Sequence, residues 1–436
     1  MSIPRLNLTT TQILLKIKKM EFIADLHIHS KFSRATSSDM VIPKIAEMAE
    51  LKGIKLVGTG DFTHPEWLKE LRIELTDDSY GIYKYQNTYF MLTAEVNNLY
   101  PKNGKLRRIH HIIVSPDFPT VEKINKFLNR YGNLSADGRP LLNLDSKVML
   151  EKILEINPDN YLIPSHIWTP WFSLFGSKSG FDSIEECFDD LTKEIFALET
   201  GLSSDPKMNW TLSSLDRYTL VSNSDAHSPS RLGREANVFN CAISYQEIKE
   251  VLKTKDRTRF LYTIEFFPEE GKYHYDGHRN CNIVLSPQQS ISINDICPVC
   301  GKELTIGVAH RVMLLADREY GYMPANAIPY KNLIPLEEII ADVLAVGRDS
   351  ASVKNYYLKL VKALAGEFNV LLHAPITEIA LHSDHRIALA IEHMRQGKIN
   401  IQPGYDGVFG KISISFDDKK IAVSDDGQKN QQLSLF

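Results

Sequence analysis

The sequence predicts an α/β protein whose mainly parallel sheet, open or closed into a barrel, precedes a small cysteine-bearing module and a mainly helical region. Three observations carry this. From residue 21 to about residue 267, short apolar runs alternate with longer amphipathic stretches, the pattern of βα units. Three of the five cysteines, Cys281, Cys297 and Cys300, fall close together, which is metal spacing and not a disulfide framework. Beyond residue 313, two segments repeat apolar residues at three- and four-residue intervals, the helical period.

The elements follow in order. The apolar runs predict strands at 22–26, 56–58, 89–96, 108–114, 161–165, 196–198, 219–222 and 260–265. Amphipathic segments predict helices at 41–51, 121–131, 146–156 and 245–253. This gives an N-terminal extension (1–20) and a sheet domain (21–267). A Pro-, Gly-, Tyr- and His-rich module (268–312) comes next, then a region (313–421) with helices over 336–346 and 353–368. A polar tail (422–436) finishes on the apolar QQLSLF.

A chain of 436 residues implies two or three domains. With 50 Lys+Arg against 54 Asp+Glu, net −4, it is not a globally basic nucleic-acid binder, though a local basic face fits. At 43% hydrophobic and 24% charged, it has the composition of a globular protein and not of a disordered chain. No apolar run approaches the ~20 residues of a bilayer span, and the N-terminus lacks a secretory stretch. The expectation is a cytoplasmic enzyme.

The polar residues at the strand ends are the most informative feature. Asp25, His27 and His29 end the first strand, Asp61 follows the second with His64 three residues on, and Glu95 ends the third. His110 and His111 lie in the fourth, His166 follows the fifth, Glu199 the sixth, and Asp225 with His227 the seventh. In a parallel sheet these ends gather on one rim. Seven strands each delivering a His, Asp or Glu there predict a catalytic metal cluster. Its ligands are drawn from these residues. Strand alternation lets one of the adjacent histidines face inward, and His110 is preferred. Imidazoles and carboxylates without thiolates suit Zn²⁺, Mn²⁺ or Fe²⁺, and the ligand count implies two or three ions bridged by Glu95. Clustered divalent ions bring the pKa of a bound water toward neutrality and neutralise phosphate, so the chemistry expected is phosphoester hydrolysis. No GxxxxGK[ST] loop is present, which argues against an NTPase.

DLHIHS at 25–30, GTGDFTHP at 58–65, Glu95, IHH at 109–111, SHIW at 165–168 and NSDAH at 223–227 resemble the PHP (polymerase and histidinol phosphatase) superfamily. That resemblance implies a distorted (β/α)7 barrel holding up to three metals. Many members carry another His shortly after the HxH and a TDH-type second motif. Here SKFSRATS and TGDF stand in those places, and Asp61 is assigned to the second motif with His64 in reserve; the resemblance then implies His27, His29, Asp61, Glu95, His110 (or His111), His166, Asp225 and His227 as the ligands.

The module contains His278-x2-Cys281 and Cys297-x2-Cys300-Gly, two knuckles that predict a closed structural zinc site. His274 and His310 are alternatives to His278 as the fourth ligand. Cys187 and Cys241 read as core residues. HRNC at 278–281 and CPVCGKELTIGVAHRV at 297–312, after a PHP-like barrel and before a helical region, are similar to the endonuclease Q family. The similarity extends over nearly the whole chain. It implies metal-dependent nicking of DNA on the 5′ side of deaminated bases (uracil, hypoxanthine, xanthine) or abasic sites, leaving 3′-hydroxyl and 5′-phosphate ends. The alternative is a PHP-type phosphatase or exonuclease acting on small phosphoesters or free ends, with Mg²⁺ as a further candidate ion.

An enzyme acting at a damaged base extrudes it or accepts single strand, and holds it by stacking and edge hydrogen bonds. Trp168, Trp171 and Phe172, in an aromatic loop beside the rim, either stack on a base or cover the barrel mouth. Lys102, Lys105, Arg107 and Arg108 either grip phosphates or form a solvated loop. Arg231 and Arg234, just past Asp225 and His227, are the better placed for the scissile phosphate; Asp225, Glu95, His227 and Arg231 make up the expected catalytic set. The glycines of residues 403–412 either let backbone approach nucleic acid or make a plain turn. Gln432, Leu433, Leu435 and Phe436 in the terminal QLSLF resemble the bacterial sliding-clamp-binding peptide, which implies a clamp partner, a bacterial host and a nucleoid location.

Overall fold

The computed structural model describes residues 20–416. Most of the N-terminal extension and the tail motif Gln432, Leu433, Leu435 and Phe436 lie outside the described residues.

The strands are β1 (Met20–Asp25), β2 (Ile54–Gly58), β3 (Thr76–Ser79), β4 (Ile82–Tyr85), β5 (Thr88–Lys102), β6 (Lys105–Ser115), β7 (Leu141–Leu142), β8 (Tyr161–Pro164), β9 (Ala197–Glu199), β10 (Thr219–Val221), β11 (Ala236–Cys241) and β12 (Phe260–Glu265). β1 pairs parallel with β2, and β2 with β5. β5 runs antiparallel to β6, and β6 to β8. β9 and β10 pair in parallel, and Ile167 N donates to Glu199 O (3.0 Å) just beyond the ends of β8 and β9. Beyond β10, Ala226 forms a parallel bridge to Ile28, after β1.

The sheet is therefore mixed and not mainly parallel. The cause is local: Asn103 (φ 53°) and Gly104 (φ 70°) form a two-residue turn between the facing Lys102 and Lys105. Both positions have positive φ, the geometry that Asn-Gly adopts and that matches strand twist. β5 and β6 must then be antiparallel. The sequence reading also passes over β3, β4 and β11.

Strand alternation sorts the apolar side chains onto two faces. Phe22, Ala24, Leu26, Leu56, Met91, Ile112, Val114, Ile163, Ala197 and Val221 belong to one buried cluster. Val57, Phe90, Leu92, Ile113, Leu162, Leu198 and Leu220 join a second, with the helices. Helices Ile42–Lys52, Phe118–Leu128, Ser146–Ile156 and Tyr245–Thr254 stand within a few residues of their expected places.

The same large cluster continues into the C-terminal region. Its helices are Leu336–Leu344, Ala351–Ala363, Glu367–Leu372, Ile376–His382 and His385–Arg395, and β16 (Ile399–Gln402) pairs with β17 (Lys411–Ile414) to close it; β13 to β15 are Asp276–His278, Ile283–Leu285 and Tyr330–Asn332. The helix expected over 353–368 ends early, because Ala365 and Gly366 take φ of 54° and 109°. That break turns Glu367 inward. Its carboxylate takes Lys52 Nζ at 2.8 Å, Tyr357 Oη at 2.9 Å and Leu336 N at 3.0 Å, which satisfies a charge that is otherwise costly to bury.

Candidate metal centre and nucleic-acid cleft

Three of the expected metal ligands hold left-handed backbone: Asp61 (φ 50°), His166 (φ 29°) and Asp225 (φ 48°). Such conformations cost ~1–3 kcal/mol each and cluster at functional sites. Here they turn His166 and Asp225 toward the centre and set Asp61 behind His29.

Two groups of donor atoms result, each within 4.8 Å of one another: His27, His29, Glu95 and Asp225, and Glu95, His110 and His166. Glu95 belongs to both. Its Oε1 lies 2.9 Å from His110 Nδ1 and 3.0 Å from His166 Nε2. Its Oε2 lies 3.4 Å from His29 Nε2 and accepts from Arg139 at 3.0 Å. His29 Nε2 is 3.0 Å and His27 Nε2 3.8 Å from Asp225 Oδ1.

Behind each β1 histidine stands a carboxylate. Glu199 holds His27 Nδ1 at 3.0 Å, and Asp61 holds His29 Nδ1 at 3.0 Å. This fixes the rings so that both Nε2 atoms face the centre, the usual outer-layer role around a metal. Asp61 is fully engaged elsewhere: its Oδ2 takes the backbone N–H and hydroxyl of Ser30, both at 2.6 Å, and Ser33 Oγ at 2.9 Å. It therefore stands outside the converging donors. His64 stacks on Phe32 with ring centroids 4.3 Å apart and is also outside. Asp25 pins two backbone N–H groups, of Ser224 and Gly233. His227 lies at the edge, its ring 4.5 Å from that of His29 and its Nδ1 2.8 Å from Asp225 O. His111 turns to the opposite face of β6, where its Nε2 meets Ser146 Oγ at 2.8 Å.

The donors fit divalent cations. His27 Nε2, His29 Nε2 and Asp225 Oδ1 are buried without hydrogen-bond partners, an arrangement that costs free energy unless something positive completes it. The electrostatics agree. Burial opposes charge on His27 and His29, yet Glu199 and Glu95 around the first, and Asp61, Asp225 and Glu95 around the second, raise both pKa values well above normal. Glu95 is likewise driven well below the carboxylate range, by His110, Arg139 and His27 against its burial.

Arg139 is the residue that sequence reasoning missed. Its loop lies against the site because position 138 is glycine: a Cβ there would collide with the Asp61 carboxylate and the Ser33 hydroxyl. Gly138 O accepts from Thr63 Oγ1 at 3.1 Å. A basic residue in a loop carries no periodic signal, so only the fold brings it forward.

A cleft of ≈ 620 Å³ borders the centre, lined by residues that include Trp171, Phe172, Arg231, Arg234, Lys272, Tyr273 and Phe409. The Phe172 ring is 5.1 Å from that of His110, and Trp171 meets Tyr273 edge-on at 6.0 Å. Trp168 does not reach the cleft. It is fully buried against Phe175, and its indole N–H donates to Asn209 Oδ1 at 2.7 Å, so the stacking role expected for it gives way to a core role. Arg107 is also internal, its guanidinium donating to the Lys102 and Gly180 carbonyls and lying over Phe181 at 4.0 Å. Arg108 lies 5.8 Å from the Phe172 ring. Arg234 donates to Ser224 O at 2.8 Å, and Arg231 pairs with Glu338 at 2.8 Å.

In the module, His278, Cys281, Cys297 and Cys300 converge within 4.8 Å. Gly301 (φ 71°) allows the knuckle to turn, and its N–H donates to Cys297 O at 2.9 Å. Against its burial, the backbone N–H groups of Cys300 and Val299 pull the Cys297 thiol down to about 6, favouring the thiolate that a metal needs. His310 is instead bound to Asp276, at 2.6 Å, and His274 is buried outside the group. Cys187 and Cys241 are buried.

A family model described as the MJ0043 C-terminal domain matches residues 335–398. The uncharacterized protein YqxK of Bacillus subtilis is 30% identical over 411 residues, covering 89% of this chain and 98% of that protein. The uncharacterized protein MJ0043 of Methanocaldococcus jannaschii is 34% identical over 256 residues, 57% of this chain, but the match spans only 31% of that longer protein. Among solved structures, the lesion-specific endonuclease PfuEndoQ of Pyrococcus furiosus superposes with TM-score 0.82 and 35% identity over 93% of this chain and 98% of that one. An endonuclease Q in complex with a 27-mer duplex, an abasic lesion at its active site, superposes with TM-score 0.81 and 35% identity over 93% of this chain and 100% of that one. Agreement in sequence and structure along nearly the full length means that the chain belongs to the endonuclease Q family of DNA-cleaving hydrolases.

Proposed function

We propose that this chain is a metal-dependent DNA repair endonuclease. It hydrolyses the phosphodiester 5′ of a deaminated base (uracil, hypoxanthine or xanthine) or an abasic site, leaving 3′-hydroxyl and 5′-phosphate ends. One observation carries the reading: unpartnered His27 Nε2, His29 Nε2 and Asp225 Oδ1 converge with Glu95 beside a cleft of ≈ 620 Å³ walled by aromatic rings and arginines. A volume of that size admits a nucleotide turned out of its helix.

His27, His29, Glu95 and Asp225 would hold one cation, and Glu95, His110 and His166 a second. Bound divalent cations supply a water of near-neutral pKa and neutralise the attacked phosphate. Asp61 and Glu199 hold the imidazole tautomers of His29 and His27, and Arg139 keeps the Glu95 carboxylate oriented. Arg234 shapes the loop that presents Asp225, while Arg231 faces the cleft, where a phosphate would compete with Glu338 for it. Trp171 and Tyr273 are the rings suited to the extruded base.

The succession β1, β2, β5, β6, β8, β9 and β10, with the Ile28–Ala226 bridge returning to the start, supports a distorted seven-stranded barrel over residues 21–267. The Cys/His group supports a zinc ribbon over 268–312, and the helices support a DNA-binding region over 313–421. The terminal Gln432, Leu433, Leu435 and Phe436 are assigned to sliding-clamp binding, because a tethered tail raises the local concentration of enzyme on DNA.

The test is a labelled duplex with one internal dU, incubated with Mn²⁺ or Mg²⁺ and sized beside Asp225→Ala. The expected result is one nick immediately 5′ of dU by the wild type and none by the variant. Hydrolysis of a small phosphomonoester with an intact dU duplex would overturn the reading in favour of a phosphatase.

A further inference from the structure

Residues 403–410 form a loop that is fixed in place yet holds an aromatic ring in water. Gly404 N donates to Glu269 O at 2.8 Å and Gly404 O accepts from Tyr275 N at 2.9 Å. Gly407 N donates to Lys272 O at 2.8 Å and Gly410 N to Glu270 O at 3.0 Å. The Asp406 carboxylate accepts from Arg279 N at 2.7 Å and from Thr305 Oγ1 at 2.6 Å. Side chains at positions 404 and 410 would collide with the carbonyls of Gly271 and Glu269, so the glycines are required for this seating. The loop is thus fastened to the start of the cysteine module along its length. Phe409 is nevertheless 74% exposed.

A loop this well pinned could have buried its one phenylalanine; presenting it to solvent forgoes that stabilisation. Phe409 lines the same cleft as Trp171, Tyr273 and Arg231. Lys272 Nζ lies 5.8 Å from its ring and 5.6 Å from that of Tyr273, and Arg279 is exposed beside the loop. An apolar tip between cations, at the edge of a cavity sized for a nucleotide, is suited to a nucleic-acid duplex. Turning out a nucleotide leaves two neighbouring bases unstacked, and an inserted apolar side chain takes up the gap.

We propose that Phe409 is the wedge that enters the base stack of a duplex when the lesion nucleotide moves into the cleft. This rests on the functional reading above. It makes Phe409 a positioning residue, needed where there is a stack to fill and dispensable where there is none.

The experiment measures cleavage of one dU oligonucleotide, as a duplex and as a single strand, by wild type, Phe409→Ala and Phe409→Leu, each with its metals bound and its melting temperature checked. A companion measurement, on a duplex whose scissile phosphate is replaced by a non-hydrolysable methylphosphonate, follows 2-aminopurine placed beside the dU, which brightens on unstacking and needs no catalysis. Phe409→Ala should lose about 10-fold or more on the duplex, the scale of one lost stacking contact. It should stay within about twofold on the single strand and show less 2-aminopurine brightening, with Phe409→Leu close to wild type. Equal losses on both substrates would make Phe409 a wall of the cleft and overturn the proposal, as would an unaffected duplex rate. A wild type inert on both substrates would instead overturn the functional reading, and the wedge with it.

Discussion

Asp61 holds His29 by the ring nitrogen that faces away from the centre, Oδ1 to Nδ1 at 3.0 Å. The other nitrogen of that imidazole, 3.0 Å from Asp225 Oδ1, has no hydrogen-bond partner. A carboxylate expected among the metal ligands thus stands behind a histidine, one place removed from the converging donors.

Asp61→Asn keeps the left-handed backbone, which asparagine tolerates, but replaces the acceptor charge behind His29. Metal affinity should fall by about 10- to 100-fold, with the folded structure retained. Competition against a chelator measures it. An affinity equal to wild type would show that Asp61 has no part in orienting His29.

Arg139 balances Glu95 at 3.0 Å in a site where the carboxylate is fully buried. In metal-free protein, Arg139→Met leaves that charge among histidines alone and should cost about 3 kcal/mol, the scale of breaking a buried pair. Cations assigned to Glu95 would recover most of the loss. Denaturant unfolding with and without Mn²⁺ distinguishes the cases: a loss independent of metal would place the role of Arg139 in loop packing.

What the sequence made legible was periodic or clustered. The β1 histidines, Glu95, His166 and Asp225 follow apolar runs, and their types alone suggest a cation site. Strand alternation allows only one of His110 and His111 to face inward, and it is the structure that turns His110 toward Glu95 and His111 toward Ser146. Sequence could not tell that Asp61 stands behind His29 while Asp225 faces the converging donors, because both are strand-end aspartates and even share a left-handed backbone. Trp168 and Trp171 lie three residues apart in one loop, yet one is core and the other 42% exposed; an irregular segment has no period to sort them. The Asn103-Gly104 turn was a readable hairpin signal, and it corrects the expected parallel pairing.

The cysteine module supplies a separate test. Cys297→Ser removes the thiolate whose neighbours hold it ionised, and structural zinc contributes ~10–16 kcal/mol of binding energy to folding in small modules. The variant should lose one equivalent of zinc by elemental analysis, and proteolysis should cut within residues 273–310. Full zinc retention with a protected module would contradict the assignment.

Glu265 makes stability depend on pH. Burial pushes its pKa up to about 8, aided by Asp205 and opposed by hydroxyl hydrogen bonds from Thr263, Ser222 and Thr200. The folded chain therefore keeps a proton that the unfolded chain releases near pH 4.5. Its contribution is fully present below that pH and is lost as pH rises toward 8, by an amount on the order of a few kcal/mol. Glu265→Gln, neutral throughout, should flatten the decline in urea midpoint between pH 5 and pH 8. Parallel slopes for the two proteins would count against a buried, protonated Glu265.

The most direct measurement is an anomalous difference map from crystals grown with excess Mn²⁺. One peak is expected among His27, His29, Glu95 and Asp225 and a second among Glu95, His110 and His166, with Glu95 shared. Manganese absent from both positions, or those side chains turned apart, would contradict it.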